Sequence, residues 1–240
     1  MIGERRVKTD IGRLKQQAAE KAVEYIQPGM VVGLGYGSTA LLAVRRIGHL
    51  LRTGELRDIV GVPCARKVEE EAHRLSIPLT TLEEHPIIDL TIDGADEVSP
   101  TLDMIKGGGG AMLHERIVAQ ASRREVIVVD ERKLVPMLGT RASVPVEVIP
   151  FGWKSQMAYL ESIGARTTLR PDGDGPFRTD EGNFVLDCEF GQIADPAALA
   201  AQIKARGGIV EHGIFLGLAT EVIVARATGI EHLHRQTARR

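Results

Sequence analysis

Short apolar runs that alternate with helix-like segments constrain the fold of this chain more than any other feature. Each run is rich in β-branched residues, is too short for a helix, and leads through polar residues into a segment with helical spacing. The runs are 30–34, 59–63, 87–92 and 125–129, and the helical segments are 11–27, 40–51, 65–75 and 113–122. This alternation predicts an α/β fold with a mainly parallel sheet and helices on both faces, a Rossmann-like arrangement.

The pattern changes after about residue 144. Residues 144–150 are extended and contain Pro145 and Pro150, which is typical of a domain boundary. Beyond it the sequence predicts helices at 152–163 and 196–205, the latter capped by Asp195, and strands at 166–169, 177–179, 183–187 and 208–211. We therefore predict a catalytic α/β domain of residues 1–144 plus 214–240 and a smaller α+β domain of residues 145–213. Residues 214–226 are expected to return to the first sheet, and the basic tail 231–240 to fray.

The composition excludes several classes of function. The 240 residues carry a formal net charge of -2, so there is no general basic character of the kind that nucleic-acid binding usually needs. No apolar segment approaches the roughly 20 residues that span a bilayer, and the first ten residues do not resemble a signal peptide. Cys64 and Cys188 are far apart and have no metal-ligand spacing. We expect a cytoplasmic protein with neither a nucleic-acid nor a membrane partner.

Four consecutive glycines, Gly107–Gly110, are the strongest local signal of chemistry. Such a run does not suit a packed strand or a helix interior, but it lets backbone N–H groups approach a ligand closely. Lys106 precedes the run, and Glu115 falls in the first turn of the helix that follows it. A cation, backbone donors and a carboxylate within ten residues suit chemistry on an oxygen-rich anion, although a flexible surface loop is the alternative.

Three more strand ends carry polar groups. The segment Gly35–Thr39 joins a strand to a helix in the way that directs N–H groups at a phosphate, and Ser38 and Thr39 can cap that helix. The other two sets are Asp93–Asp96 and Asp130–Lys133. The carboxyl ends of parallel strands share one edge, so we expect the four sets, with Lys15, to converge on one crevice. Lysines, hydroxyls and carboxylates together fit a phosphorylated, polyhydroxylated ligand.

General acid–base chemistry beside a carbonyl fits these groups best. A carboxylate can move a proton while a lysine and backbone N–H groups stabilise the enediolate oxygen. No G-x-S-x-G motif supports serine hydrolysis. Asp93, Asp96 and Glu97 could hold Mg²⁺, but acids that accept hydrogen bonds at strand ends are commoner, so we expect neither a metal nor a cofactor.

The motifs, taken in order, resemble those of the type A ribose-5-phosphate isomerase family. The matching segments are G-L-G-x-G-S-T-A, D-G-A-D-E, K-G-G-G-G-A-x-x-x-E, P-V-E-V-I-P, T-D-x-G-N-x-x-L-D and G-I-V-E-H-G-I-F, spread over roughly residues 10–226. The resemblance implies interconversion of ribose 5-phosphate and ribulose 5-phosphate through an enediolate without a cofactor, as part of the non-oxidative pentose phosphate pathway. It also implies a homodimer or a homotetramer.

The resemblance also implies a role for each matching residue. Glu115 corresponds to the base that moves the proton between C1 and C2. Asp93 and Asp96 correspond to the acids that hold sugar hydroxyls and assist ring opening. Lys106 with the amides of Gly107, Gly108 and Gly109 corresponds to the group facing the enediolate. The phosphate and sugar contacts correspond to Lys15, Tyr36, Gly37, Ser38, Thr39, Gly94, Ala95 and Lys133.

Some positions depart from the family pattern. Tyr36 replaces a small hydroxyl residue, Arg66 and Lys67 add charge, and Arg132 stands where a serine is common. These changes bear on sugar preference more than on reaction type. A paralogue acting on a related sugar phosphate therefore stays open. Because folds of this kind also occur in regulators and in transferases, a non-catalytic sugar-phosphate sensor and an acyl-CoA transferase are further alternatives. His114, beside the base, is expected to face solvent.

Overall fold

The computed structural model describes residues 2–235 and, from residue 11 onward, their side chains. Within that range it contains six α-helices, and each corresponds to a helix that the sequence predicts. They are α1 Ile2–Val23, α2 Ala40–Thr53, α3 Arg66–Arg74, α4 Met112–Ala121, α5 Trp153–Ser162 and α6 Pro196–Lys204. Asp195 caps α6 as predicted, because its carboxylate accepts the N–H of Ala198 at 2.9 Å.

The strands are short, and several contain only two residues. They are β1 Val31–Leu34, β2 Val60–Pro63, β3 Leu90–Asp93, β4 Glu97–Val98, β5 Met104–Ile105, β6 Glu125–Asp130, β7 Val144–Val148, β8 Arg166–Leu169, β9 Pro171–Asp172, β10 Gly175–Pro176, β11 Phe184–Glu189, β12 Ile209–His212, β13 Ile214–Phe215, β14 Glu221–Arg226 and β15 Gly229–His234.

The described residues form two compact units. The first consists of the described parts of Met1–Ala95, Ile117–Lys133 and Leu218–Arg240, and the second of Asp96–Arg116 and Leu134–Gly217. The domain boundaries given above, 1–144 plus 214–240 and 145–213, stay a prediction.

Unit 1 contains a six-stranded sheet in the order β15-β14-β6-β3-β1-β2. All neighbouring strands are parallel except β14 and β15. This confirms the α/β fold class. The predicted return of residues 214–226 to the first sheet is confirmed for 221–226, which form β14, whereas residues 214–215 form β13 and pair with β5 in unit 2. After β1 the chain pairs β2 on one side and β3 on the other, so the order reverses between β1 and β3. In open α/β sheets, ligands bind outside the carboxyl ends of the strands at such a reversal.

Two glycines let β1 and β3 approach each other. A Cβ on Gly33 would lie 1.8 Å from Oγ1 of Thr91, and one on Gly35 would lie 2.4 Å from Oδ1 of Asp93. Neither position accepts a larger residue without movement of the sheet. The glycine-rich turn after β1 is therefore required by strand packing as well as by any ligand.

Unit 2 contains a four-stranded antiparallel sheet in the order β12-β7-β11-β8 and a three-stranded sheet in the order β13-β5-β4. Alternate residues of β7, namely Val144, Val146 and Val148, enter an apolar core with Leu160 of α5 and Ile203 of α6. The short strands β4 and β5 fall outside the sequence prediction, because two residues are too few to show a period.

Two predictions about local structure are wrong. Residues 177–179 form no continuous strand. Arg178 makes a single antiparallel bridge to Phe184, and the N–H of Thr179 donates to the carbonyl of Asn183 across a tight turn. Residues 231–234 do not fray but belong to β15, which pairs along its whole length with β14. Residues 236–240 lie outside the described residues. No helix within the described residues is long and apolar enough to cross a bilayer.

Candidate active site

Lys106 and Glu115 form a buried ion pair in unit 2. Lys106 follows β5, and its N–H donates to the carbonyl of Gly213 at 2.9 Å. Glu115 lies in the first turn of α4. Nζ of Lys106 is 3.0 Å from Oε1 of Glu115, and the two side chains are 1% and 5% exposed. In such a low-dielectric setting the attraction between the charges is much stronger than at a surface.

An aromatic ring and a second cation flank this pair. The ring centroid of Phe215 is 5.6 Å from Nζ of Lys106 and 4.1 Å from Cζ of Arg116. Arg116 is 3.1 Å from Oε1 of Glu211, and it also donates to the carbonyls of His212 and Ile214. Burial lowers the pKa of Arg116, and Glu211 opposes this effect. Residues of the G-I-V-E-H-G-I-F motif therefore hold Arg116, which follows Glu115 in α4. The sequence alone did not predict this contact.

The glycine run is held in place. Gly107 and Gly110 have φ angles of 96° and 84°, which favour glycine, and the N–H of Gly110 donates to the carbonyl of Gly107. Nη1 of Arg170 donates to the carbonyls of Gly107 and Gly108, each at 3.1 Å. A Cβ on Gly110 would lie 2.4 Å from the ring of Phe177. These contacts argue against the alternative of a flexible surface loop.

Asp96 belongs to the same arrangement. Its Oδ2 accepts the N–H of Gly108 at 2.8 Å, and its own N–H donates to the carbonyl of Ile105. A Cβ on Gly108 would come within 2.9 Å of both carboxylate oxygens. The acid and the glycine run therefore fit each other closely.

A further buried acid of unit 2 lies beside α4. Glu147 of β7 accepts hydrogen bonds from Oγ1 of Thr179 at 2.8 Å and Nδ2 of Asn183 at 2.9 Å, and burial raises its pKa. These residues belong to two of the matching motifs, but nothing in the local sequence pointed to their contact. His114 does not simply face solvent as expected, because its Nε2 lies 2.9 Å from Oε1 of Glu181.

In unit 1, Asp93 ends β3 and receives backbone donors. Its Oδ1 accepts the N–H of Tyr36 at 3.0 Å and that of Gly94 at 2.7 Å, and the side chain is buried. Glu97, the first residue of β4 in unit 2, accepts the N–H groups of Gly139, Arg141 and Ala142. The backbone donors around Asp93 and Glu97 suit hydrogen-bonded acids rather than ligands of a metal.

A group of charges lies near the start of α2 in unit 1. Nζ of Lys15 donates to Oγ of Ser38 at 2.8 Å. Burial lowers the pKa of Lys15, and the charges of Lys133 and Arg132 add to this effect while Asp130 opposes it. Arg132 donates to both oxygens of Asp130, at 2.7 and 3.0 Å. The cations of Lys15, Arg132 and Lys133 thus accompany the single carboxylate of Asp130, and we call these four residues the net positive set.

The predicted capping of α2 by Ser38 or Thr39 is not observed. Thr39 occupies the N-cap position of α2 with helical dihedral angles, and its side chain makes no capping hydrogen bond. Ser38 is exposed and contacts Lys15 instead. Tyr36 is half-buried and packs against a cluster that includes Val62 and Cys64. Its ring therefore has a packing function within unit 1.

The predicted site residues are divided between the units. Asp96, Lys106, Gly107–Gly109 and Glu115 lie in unit 2, whereas Lys15, Tyr36–Thr39, Asp93–Ala95 and Lys133 lie in unit 1. Within unit 2 the predicted base, cation and glycine run are in contact. Within unit 1, Lys15 is in contact with Ser38.

Comparison with known proteins gives consistent matches along the chain. The family described as ribose 5-phosphate isomerase A (phosphoriboisomerase A) matches residues 60–229. A ribose-5-phosphate isomerase A from Chloroflexus aurantiacus is 57% identical over 220 residues, which cover 91% of this chain and 92% of that protein. A D-ribose-5-phosphate isomerase solved in complex with phospho-erythronic acid has a TM-score of 0.92 and 39% identity, with 94% of this chain and 99% of that one covered. The ribose 5-phosphate isomerase from Plasmodium falciparum has a TM-score of 0.91 and 38% identity, with 94% and 100% covered.

Proposed function

This chain belongs to the ribose 5-phosphate isomerase A family, and on that premise we propose that it interconverts D-ribose 5-phosphate and D-ribulose 5-phosphate. The proposal includes the enediolate route and needs no cofactor. The observation that carries it is the buried contact between Nζ of Lys106 and Oε1 of Glu115, 3.0 Å apart. A proton-moving carboxylate and a charge-stabilising cation are the two groups that an aldose–ketose isomerisation requires.

Glu115 is the proposed base. It takes the proton from the carbon next to the carbonyl and returns it to the former carbonyl carbon, while the hydroxyl proton moves from one oxygen of the enediolate to the other. The negative charge that develops on oxygen meets the ammonium of Lys106 in a site from which water is largely excluded. The cation therefore stabilises the transition state more than it stabilises the bound sugar.

The glycine run and the two aspartates have divided roles in this proposal. The N–H of Gly108 already donates to Asp96, so we assign it to holding that carboxylate. The N–H groups of Gly107 and Gly109 are assigned to the enediolate oxygen. Asp93 and Asp96 hold sugar hydroxyls and assist ring opening. Gly94 and Ala95, the two residues between them, contact the sugar.

The phosphate is assigned to the net positive set of unit 1. Lys15 and Lys133 supply charge, and Ser38 and Thr39 supply hydroxyl groups at the start of α2. Tyr36 and Gly37 complete the turn through which the backbone reaches that helix. Arg132 also contributes positive charge, but its guanidinium is paired with the carboxylate of Asp130.

The test is turnover of ribose 5-phosphate by the purified protein, followed as formation of the ketose. Phospho-erythronic acid, the compound in the related structure, is expected to compete with the substrate, because it combines a phosphate with an oxygen anion. Ribose 5-phosphate should be turned over with a higher kcat/KM than other pentose 5-phosphates. Binding of ribose 5-phosphate without turnover would reject catalysis and support the sensor alternative, and faster turnover of another sugar phosphate would support a paralogue.

We propose further that the protein is cytoplasmic and forms a homodimer or homotetramer. The first part draws on its two cysteines, which are both buried and not joined to each other. The second draws only on membership of the family. Light scattering coupled to size exclusion tests it, and a single monomeric species at micromolar concentration would contradict it.

A further inference from the structure

Two histidines and a glutamate share one face of the antiparallel pair β14 and β15. His232 and His234 are two residues apart on β15, and a strand directs such residues to the same side. Glu221, the first residue of β14, is the direct partner of His234, and Ile223 is the partner of His232. Directly opposed residues of an antiparallel pair also lie on the same side, so all three ligand-type side chains do.

Glu221 is buried and held by three donors. Oε1 accepts the hydroxyl of Tyr25 at 2.7 Å and lies 2.7 Å from Nδ1 of His232. Oε2 accepts a hydrogen bond from Nη2 of Arg124, also at 2.7 Å. Burial alone raises the pKa of Glu221, but the hydrogen bonds from Tyr25, Arg124 and His232 outweigh it and lower this pKa to about 2. These contacts hold the carboxylate in place at the start of β14.

We propose that Glu221, His232 and His234 form a binding site for a divalent transition metal with the preferences of Zn²⁺. One ligand atom from each residue lies within 4.8 Å of the other two. Two imidazoles and one carboxylate are a common protein ligand set for Zn²⁺, with a fourth position left for water. Among the described residues this is the one group of at least three such side chains gathered so closely.

Metal binding at Nδ1 of His232 displaces the hydrogen bond between this atom and Oε1 of Glu221. The ring proton of the neutral imidazole is then carried by Nε2, so that Nδ1 and Oε1 are both free of protons and can act as ligands. Zn–N and Zn–O bonds of roughly 2.0–2.2 Å bring tetrahedral ligand atoms to about 3.3 Å from each other. The exposed His234 can close that distance by changing its rotamer. The charge of Arg124 on Oε2 offsets part of the attraction and limits the affinity.

The position of the site in the sheet indicates a structural role. Glu221 lies at the amino end of β14 opposite Val126, whereas Ala225 lies opposite Asp130 at the carboxyl end of β6. Glu221 and Ala225 are four residues apart on β14, which corresponds to about 13 Å along the strand. The metal would join β15, the last strand of the sheet, to β14 at the edge away from the polar strand ends Gly35, Asp93 and Asp130.

Calorimetric titration of the untagged protein with Zn²⁺ tests the proposal, with Co²⁺ as a spectroscopic probe. The wild type should bind one equivalent of each, and Co²⁺ should give the intense visible bands of a tetrahedral complex. His234→Ala should weaken binding at least roughly tenfold, since even the loss of an outer hydrogen-bond partner does this at metal sites. His73→Ala, which removes another exposed histidine near a carboxylate, should leave binding unchanged.

Hydrogen exchange provides a readout that does not depend on affinity alone. Saturating Zn²⁺ should slow amide exchange in residues 229–234 of the wild type and have no such effect in His234→Ala. His234 is exposed, so its removal should not prevent folding. Equal Zn²⁺ affinity in the wild type and His234→Ala, or octahedral Co²⁺ spectra in both, would overturn the proposal.

Discussion

The two charged regions of this chain place a lysine in different surroundings. In unit 2, Lys106 and Glu115 meet at 3.0 Å with 1% and 5% of their side chains exposed. In unit 1, Lys15 meets Ser38 at 2.8 Å, but Ser38 is exposed and the nearby Arg132 side chain is 52% exposed. Burial magnifies electrostatic effects, whereas water screens them. Changes to the buried pair Lys106–Glu115 should therefore affect turnover and stability. Changes to Lys15 and the charges near it should affect substrate affinity.

The largest expected effect comes from Glu115→Gln. The amide keeps the shape of the side chain but cannot accept the proton, so kcat should fall by roughly 10²–10⁴, while KM changes little. Steady-state kinetics with ribose 5-phosphate measure both constants. Glu181→Gln, which alters an exposed glutamate of unit 2, is the matched control and should keep full activity. A Glu115→Gln enzyme with near-normal kcat would remove this residue from the role of base.

Lys106→Met should lower kcat by about 10²–10³, because it removes the cation that meets the developing oxyanion. It should also cost about 3–5 kcal/mol of unfolding free energy, since Glu115 then stays buried without its cation. Urea denaturation gives the stability change. The double variant Lys106→Met/Glu115→Gln should recover part of the lost unfolding free energy. If Lys106→Met alone loses less than about 1 kcal/mol, the buried pair is no more important for stability than the exposed charges of unit 1.

Lys15→Met should raise KM by about tenfold or more and change kcat little, because a hydrogen bond to a charged group is worth about 1.5–3 kcal/mol. Its stability cost should stay below about 1 kcal/mol, as for other partly exposed charges. Lys21→Met, on the same helix and paired with Glu24 at the surface, should change neither constant. A fall in kcat with unchanged KM would place Lys15 in the reaction rather than in phosphate binding.

The smallest effect concerns pH. Burial, with help from Lys133 and Arg132, lowers the pKa of Lys15 from its ordinary 10.5, so the ammonium is lost at lower pH than in free lysine. KM for the sugar phosphate should rise as the pH approaches that lowered pKa from below. Lys15→Arg should flatten this dependence because a guanidinium stays charged. An unchanged alkaline rise in the arginine variant would assign it to another group.

Local sequence was enough to predict much of this structure. The strand ends at Gly35 and Asp93 were recognisable because glycine turns and acids follow β-branched runs. Lys106 and Glu115 are nine residues apart, flanking a run that can only be a loop. The polar sequence of β15 hid a strand, because β15 is the last strand of the sheet and none of its residues is buried, so it shows no apolar period.

Long-range support could not be predicted in the same way. Arg116 contacts Ile214, 98 residues further along the chain, and Arg170 reaches Gly107 across 63 residues. Such contacts depend on the packing of unit 2 and leave no period or spacing in the sequence. Thr39 shows the opposite failure, since a strong local preference for capping is not used.

Solvent-hydrogen exchange during turnover tests the central claim most directly. Ribose 5-phosphate is incubated with the wild type or with Glu115→Gln in D₂O, and deuterium at C1 of the ketose and C2 of the aldose is followed by NMR. We expect the wild type to introduce deuterium through repeated turnovers and the variant to introduce almost none. Turnover by the wild type with no deuterium in either sugar, or exchange at the wild-type rate in Glu115→Gln, would contradict proton transfer by this buried carboxylate.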